Sequence, residues 1–142
     1  MTTAYPDLDT PAINADASGF ERILSGPVAR WLFAVPFALF GLMHFAFGSQ
    51  MAGMVPVPGG IFWVYLTGVA LIGGAVSVVT GKQLRVVGPL LALMLLGFVA
   101  LIHGPGLMDE ATMQMSMTSM LKDLALAGGA LLATSQAFQS KR

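Results

Sequence analysis

The chain has no cysteine among its 142 residues and few charged residues of either sign. Membrane helix bundles that exchange disulfides with quinone need paired thiols, so this chain cannot perform that chemistry by itself. Its glycine pairs lie in apolar stretches, without the strand context of nucleotide-binding motifs. The formal net charge is zero and no basic patch is present, which argues against a nucleic-acid partner.

Apolar residues make up 56% of the chain and charged residues only 10%, which leaves too little polar surface for a soluble domain. Four apolar stretches each approach the roughly 20 residues that a helix needs to cross a bilayer. They are residues 28–47, 61–80, 86–103 and 117–138. Because backbone polar groups in lipid must be paired within the protein, these stretches predict an all-α, integral membrane four-helix up-down bundle. Small residues four apart, Ala125, Gly129 and Ala133, predict a closely packed face on the fourth helix.

The basic residues predict the orientation of the bundle. The loops 48–60 and 104–116 contain no Lys or Arg, whereas six of the seven basic residues flank the apolar stretches on the other side. Basic loops stay in the cytoplasm, so both termini are expected there, in a multi-pass protein of a bacterial inner (cytoplasmic) membrane. The six residues are Arg22, Arg30, Lys82, Arg85, Lys141 and Arg142.

The chain ends are expected to be short and polar. Residues 1–26 form a cytoplasmic tail that includes a short interfacial helix, because Ser18 and Glu21 have the spacing of a capping box. Gly26 and Pro27 then turn the chain into the membrane. Residues 27–138 form the bundle, and residues 139–142 form a second cytoplasmic tail.

Two histidines lie near the outer ends of the first and third predicted helices. His44 and His103 fall at similar depth because both helices run outward. They could face each other, as in a bis-histidine haem or a shared metal site. They could equally be interfacial histidines that are hydrogen-bonded to backbone or water.

Two adjacent charged residues, Lys122 and Asp123, open the fourth predicted helix on the same outer side. Ionisable residues at membrane depth generally face an interior or a wet cavity. Lys122 is expected to extend outward, and Asp123 to point inward toward His44 or His103, where a proton-exchanging pair could serve a quinone headgroup. The alternative is a structural role, with Asp123 near a helix N-terminus and Lys122 paired with an acidic loop residue, Asp109 or Glu110.

Methionine residues are concentrated on the outer side, where one of the loops is also apolar. Thioethers favour Cu(I), so a run that alternates methionine with mostly polar residues offers a copper site, and lipid contact or gap filling is the alternative. The run contributes Met113, Met115, Met117 and Met120. Loop 48–60 is uncharged and rich in Pro and Gly. It is expected either to fold back as a short re-entrant lid near His44 and His103 or to lie among the lipid headgroups.

Several strings, taken in order, resemble a family. They are Gly41-Leu-Met-His-Phe45, Met51-Ala-Gly-Met-Val-Pro56, Leu66-Thr-Gly-Val-Ala70, His103 at the end of the third helix, and Leu121-Lys-Asp-Leu-Ala-Leu-Ala-Gly-Gly129. Together they are similar to the DoxX-like membrane proteins, and the resemblance spans about residues 27–134.

The resemblance implies a small redox-associated membrane subunit. Its recurring polar positions match His44, His103, Lys122 and Asp123. Many relatives carry an acidic residue after the Gly-Val-x of the second helix, where this chain has Leu71, so no acid-dependent site is expected at that position.

Two functions follow as expectations. The first is an accessory subunit, not catalytic by itself, of a respiratory or other quinone-linked redox complex, in which it contacts larger membrane subunits or further copies of itself. The second is a stand-alone membrane protein that binds a small hydrophobic ligand, copper or haem on the periplasmic side.

Overall fold

A computed structural model of the chain describes residues 19, 24–56 and 58–139, and this part contains helices and no strand. Four helices are long: α1 (Ala29–Ala46), α2 (Gly60–Thr80), α3 (Leu84–Phe98) and α4 (Met113–Gln139). The all-α class predicted from the sequence is therefore confirmed for the described residues.

Short helical segments connect the long helices. A five-residue helix, Gly48–Ala52, lies between α1 and α2, and α3 continues through a π-helical turn, Val99–His103, into the short helix Gly104–Gly106. Before α1, the segment Leu24–Val28 is broken at Gly26, whose φ of −95° and ψ of −121° are non-helical. The chain therefore changes direction where the turn was predicted. Most of the predicted tail 1–26, with its interfacial helix, and residues 140–142 lie outside the described residues.

Three helical stretches are long and apolar enough to cross a membrane, which identifies the chain as a membrane protein. They are Gly26–Ala46, Gly60–Thr80 and Leu84–Gly106, with mean hydropathies of 1.5, 1.9 and 2.4. The fourth helix, α4, does not reach the same apolarity although it is 27 residues long. Its N-terminal half carries Lys122, Asp123 and several hydroxyl and amide side chains.

The long helices pack as two antiparallel hairpins, α1 with α2 and α3 with α4. In the first hairpin a Cβ atom added to Gly41 would lie 3.0 Å from the carbonyl oxygen of Gly68, so the two backbones approach closely. In the second, the guanidinium of Arg85 donates to the carbonyl oxygen of Ala137 at 3.0 Å. Antiparallel pairing brings the ends of α1 and α3 and the starts of α2 and α4 together, and we call this the histidine end.

The core is built from small and aliphatic side chains of all four helices around Phe37, which is fully buried. The buried face of α4 runs along Ala127, Ala130 and Thr134. The sequence predicted a packed face at Ala125, Gly129 and Ala133. Gly129 packs against a ring of α1 and Ala133 packs against the core, whereas Ala125 is exposed. The most buried residues of α4 therefore lie beside the predicted face, and Asp123 is one of them.

Candidate functional site

The end of α3 widens into a π-helical turn that places His103. The amide of Gly104 donates to the carbonyl oxygen of Val99, five residues earlier. Such turns alter the direction of the side chains within them, and they are frequent at functional sites. The turn leaves the His103 imidazole partly buried, with 17% of its side chain exposed.

His103, Asp123 and Lys122 form a chain of polar contacts across α3 and α4. The His103 Nε2–H donates to Asp123 Oδ2 at 3.0 Å, and the Lys122 ammonium contacts Asp123 Oδ1 at 3.0 Å. Asp123 is only 2% exposed. Both carboxylate oxygens are therefore paired, which is what a buried charge requires.

The position of Asp123 within α4 argues against a capping role. The sequence placed the start of this helix near residue 117, but α4 begins at Met113. Asp123 is thus about 15 Å along the helix from its first residue, whereas capping and dipole effects act within the first turn. Its carboxylate lies on the buried face with Ala127, Ala130 and Thr134.

Lys122 does not extend outward as expected. Its Nζ lies 4.1 Å above the centre of the Phe40 ring and pairs with the neighbouring carboxylate, while its side chain is 39% exposed. No ion pair joins it to Asp109 or Glu110 in the described part of the chain. Lys122 therefore bridges α4 to α1 by a cation–π contact.

His44 is held within α1. Its Nδ1–H donates to the carbonyl oxygen of Phe40 at 2.7 Å. A Cβ atom added to Gly68 would lie 3.1 Å from the Cβ of His44, so α2 has room for the histidine only because Gly68 has no side chain. Phe40 thus contacts both His44 and Lys122.

Both histidines line a single cavity of about 560 Å³ at the histidine end, within the usual range of ligand pockets. Its walls are largely apolar and come from α1, α2, α3 with its π turn, and the loop after α1. That loop contributes Met51, Met54, Val55 and Pro56. The Trp63 indole N–H donates to the carbonyl oxygen of Pro58 at 3.1 Å, which ties the loop to α2. The loop and both histidines therefore line the same cavity, and whether the loop forms a lid stays a prediction.

In the neutral form of each histidine, the hydrogen bond fixes the tautomer. A carbonyl and a carboxylate can only accept, so the proton lies on Nδ1 in His44 and on Nε2 in His103. The opposite nitrogens, His44 Nε2 and His103 Nδ1, have no partner among the described residues, yet neither is fully buried. Each can accept a hydrogen bond from a ligand.

The methionine run lies away from this cavity. Met113, Met115, Met117 and Met120 do not line it, and the first three are 43% to 69% exposed. On one helix Met115 is rotated about 200° from Met113, so the four thioethers do not share a face. No group of three or more His, Asp or Glu side chains suited to a metal occurs in the described ranges.

Some site residues had no clear signal in the sequence. Phe40 contributes its carbonyl oxygen and the face of its ring. Every residue has a carbonyl oxygen and many apolar helices contain phenylalanine, so the sequence does not single out this residue. Met94, Phe98 and Ile102 line the cavity at helical spacing, but the same pattern describes any apolar helix face.

No protein-family model matches this chain, and no curated protein and no solved structure matches it either. The resemblance to the DoxX-like proteins therefore stays a prediction.

Proposed function

We propose that this chain is a small membrane subunit of a quinone-linked redox system and that it binds a quinone or hydroquinone headgroup between His44 and His103. One observation carries the proposal: an apolar cavity has two histidines in its wall, one of which is hydrogen-bonded to a buried carboxylate. An apolar site with a few placed polar groups suits an amphiphilic ring better than a hydrophilic substrate.

The His103–Asp123 pair supports a role in proton exchange. Oxidation of a hydroquinone releases two protons and two electrons. In this proposal His103 Nδ1 accepts one hydroxyl proton, and the adjacent Asp123 carboxylate stabilises the imidazolium that forms. His44 Nε2 accepts the other proton, and the electrons pass to a redox centre of a partner protein; reduction of a quinone runs the same steps backward.

The proposal includes membership in the DoxX-like family and four membrane crossings with both termini in the cytoplasm. The length of α4 and its antiparallel packing on α3 support a fourth crossing despite its lower apolarity. Its two charges are paired with each other, which lowers the penalty of placing them in lipid. The accessory role is supported by the absence of cysteine, because the chain has no thiol pair that could exchange electrons with a quinone.

Native mass spectrometry of the tagged protein, gently solubilised from its own membrane, tests this function. We expect larger assemblies that contain other polypeptides, together with an adduct of quinone mass. The adduct should be lost in a His44→Leu/His103→Leu double variant. Wild-type protein that retains no quinone, even after incubation with excess quinone, would overturn the proposal.

The stand-alone alternative has one observation in its favour, because His44 and His103 share a cavity and could ligate one haem or copper ion. It predicts a Soret band or stoichiometric copper in a purified chain that has no partner subunit. A colourless, metal-free chain that co-purifies with larger subunits contradicts it.

A further inference from the structure

Apart from His44 of α1 and four residues of the loop after α1, the cavity is a cleft between two facing helices. One wall comes from α2 and the other from α3 with its π turn, and α4 contributes no lining residue. These two helices also pack together less extensively than the helices within either hairpin. The walls are Trp63, Val64, Leu66, Thr67 and Ala70 on α2, and Met94, Phe98, Leu101, Ile102 and His103 on the facing side.

The cleft is open to the outside of the bundle. Leu66 and Leu101 line the cavity from opposite walls, yet they are 46% and 63% exposed. Ala70 also lines it and is exposed. We call these three residues the side opening.

The cleft closes one helical turn below Ala70. A Cβ atom added to Gly74 would lie 2.6 Å from Leu91 Cδ1, and Leu91 is buried. The helices are therefore in contact at Gly74 and separate only toward the histidine end. From Ala70 to Trp63 the cleft runs for about 10 Å along α2.

At Ala70 the side opening reaches the middle of a helix that is apolar enough to span a membrane. Ala70 lies near the centre of Gly60–Thr80, whereas Leu66 and Leu101 lie nearer the histidine end. The centre of a membrane-spanning helix is surrounded by hydrocarbon. At that depth the opening faces acyl chains and not water.

We propose that the cleft between α2 and α3 holds the apolar tail of the ligand and that the ligand reaches the histidines sideways from the lipid. This rests on the proposed function, because it assigns the headgroup to His44 and His103. The polarity of the walls supports it: the imidazoles lie at one end, and apart from Thr67 the cleft below them is lined by aliphatic, thioether and aromatic side chains. The ligand is thus an amphiphile that joins a hydrogen-bonding ring to a long alkyl or isoprenoid chain.

Two substitutions by phenylalanine distinguish an effect on the cleft from an effect on the rest of α2. Ala70→Phe fills the side opening and leaves His44 and His103 unchanged. Val69→Phe is the matched control, since Val69 is 59% exposed on the same helix and does not line the cavity. Both positions are exposed, so neither substitution disturbs the core.

Binding is measured calorimetrically in nanodiscs with two probes, a decyl-substituted benzoquinone and the same benzoquinone without a tail. We expect Ala70→Phe to weaken binding of the decyl probe by about tenfold or more relative to Val69→Phe. The tail-less probe should bind wild type and both variants within about twofold. A third probe, an alkyl alcohol with a photoactivatable diazirine in its chain, should label the peptide around Leu66 in wild type and in Val69→Phe but not in Ala70→Phe.

Each outcome has a separate meaning. If both quinones bind and Ala70→Phe affects neither, the tail site is overturned and the proposed headgroup site stands. If neither quinone binds but the diazirine probe labels the cleft in the expected variants, the proposed function is overturned and the cleft is an alkyl-chain site for a lipid. If no quinone binds and no labelling depends on Ala70, both proposals are overturned.

Discussion

His103 Nε2 lies 3.0 Å from Asp123 Oδ2, although 20 residues and a helical connection separate the two in the chain. The carboxylate is buried and the imidazole is partly exposed to the cavity. In the proposed function Asp123 would therefore act on the ligand only through His103, as a positioning residue for that imidazole.

Replacing Asp123 by Asn should impair headgroup binding more than replacing Lys122 by Met. The first change removes the charge that holds His103 in one tautomer, whereas the second leaves that hydrogen bond in place. We expect about a tenfold loss of affinity for Asp123→Asn and about threefold or less for Lys122→Met, measured calorimetrically.

Asp109→Asn serves as the control for this comparison, since Asp109 is exposed in the loop before α4 and accepts a bond only from the Ala111 amide among the described contacts of its side chain. Equal losses in Asp123→Asn and Lys122→Met, at equal protein levels, would contradict the assigned role of Asp123.

Gly68→Ala should damage the site, and Gly73→Ala on the same helix should not. The added methyl group at residue 68 would lie 3.1 Å from the Cβ of His44 and 3.1 Å from the carbonyl oxygen of Gly41, so α1 and α2 must separate. Gly73 has nothing within 4 Å of the equivalent position. We expect thermal unfolding in detergent to show Gly68→Ala destabilised by about 1–3 kcal/mol.

In the same experiment Gly73→Ala should be unchanged or stabilised by up to about 1 kcal/mol, because alanine is the better helix former. Normal stability and normal ligand affinity in Gly68→Ala would show that the close packing at His44 is not required.

Hydroquinone should bind more tightly than quinone when both histidines are neutral. His44 Nε2 and His103 Nδ1 are then acceptors, which suit hydroxyl donors and oppose carbonyl oxygens. We expect an advantage of about tenfold for the reduced form, measured anaerobically with tail-less probes. His44→Leu removes one acceptor and should reduce this advantage; tighter binding of the oxidised form would show that the tautomers are assigned wrongly.

Arg85→Lys should lower stability without changing the site. Arg85 makes two hydrogen bonds to the carbonyl oxygen of Ala137 and lies 4.7 Å from the centre of the Phe138 ring, at the opposite end of the bundle from His103. A lysine cannot reproduce this planar arrangement. We expect a loss of about 1 kcal/mol in unfolding free energy, with ligand affinity unchanged; an equal loss of affinity would mean that the two ends are coupled.

The apolar runs in the sequence predicted the helices because length and hydropathy are local properties. The prediction from these runs left out the first four residues of α4, because residues 113–116 alternate apolar and polar side chains and show no helical period. The inward direction of Asp123 was predicted from its short side chain. The choice between His44 and His103 as its partner depended on the rotation of one helix against another, which no local pattern encodes. The contact of Lys122 with Phe40 likewise depends on how α4 packs against α1, which the sequence around either residue does not show.

The π turn at Val99–His103 has a consequence for how such a site can arise. A π turn holds one more residue than an α-helical turn over about the same rotation, so the gain or loss of that residue is absorbed within the turn and leaves the helix on either side in register. The side chains of the turn itself, His103 among them, are the ones whose direction changes, while α1, α2 and α4 keep their sequences. In evolutionary terms, the gain or loss of a single codon could redirect this imidazole without changing the fold.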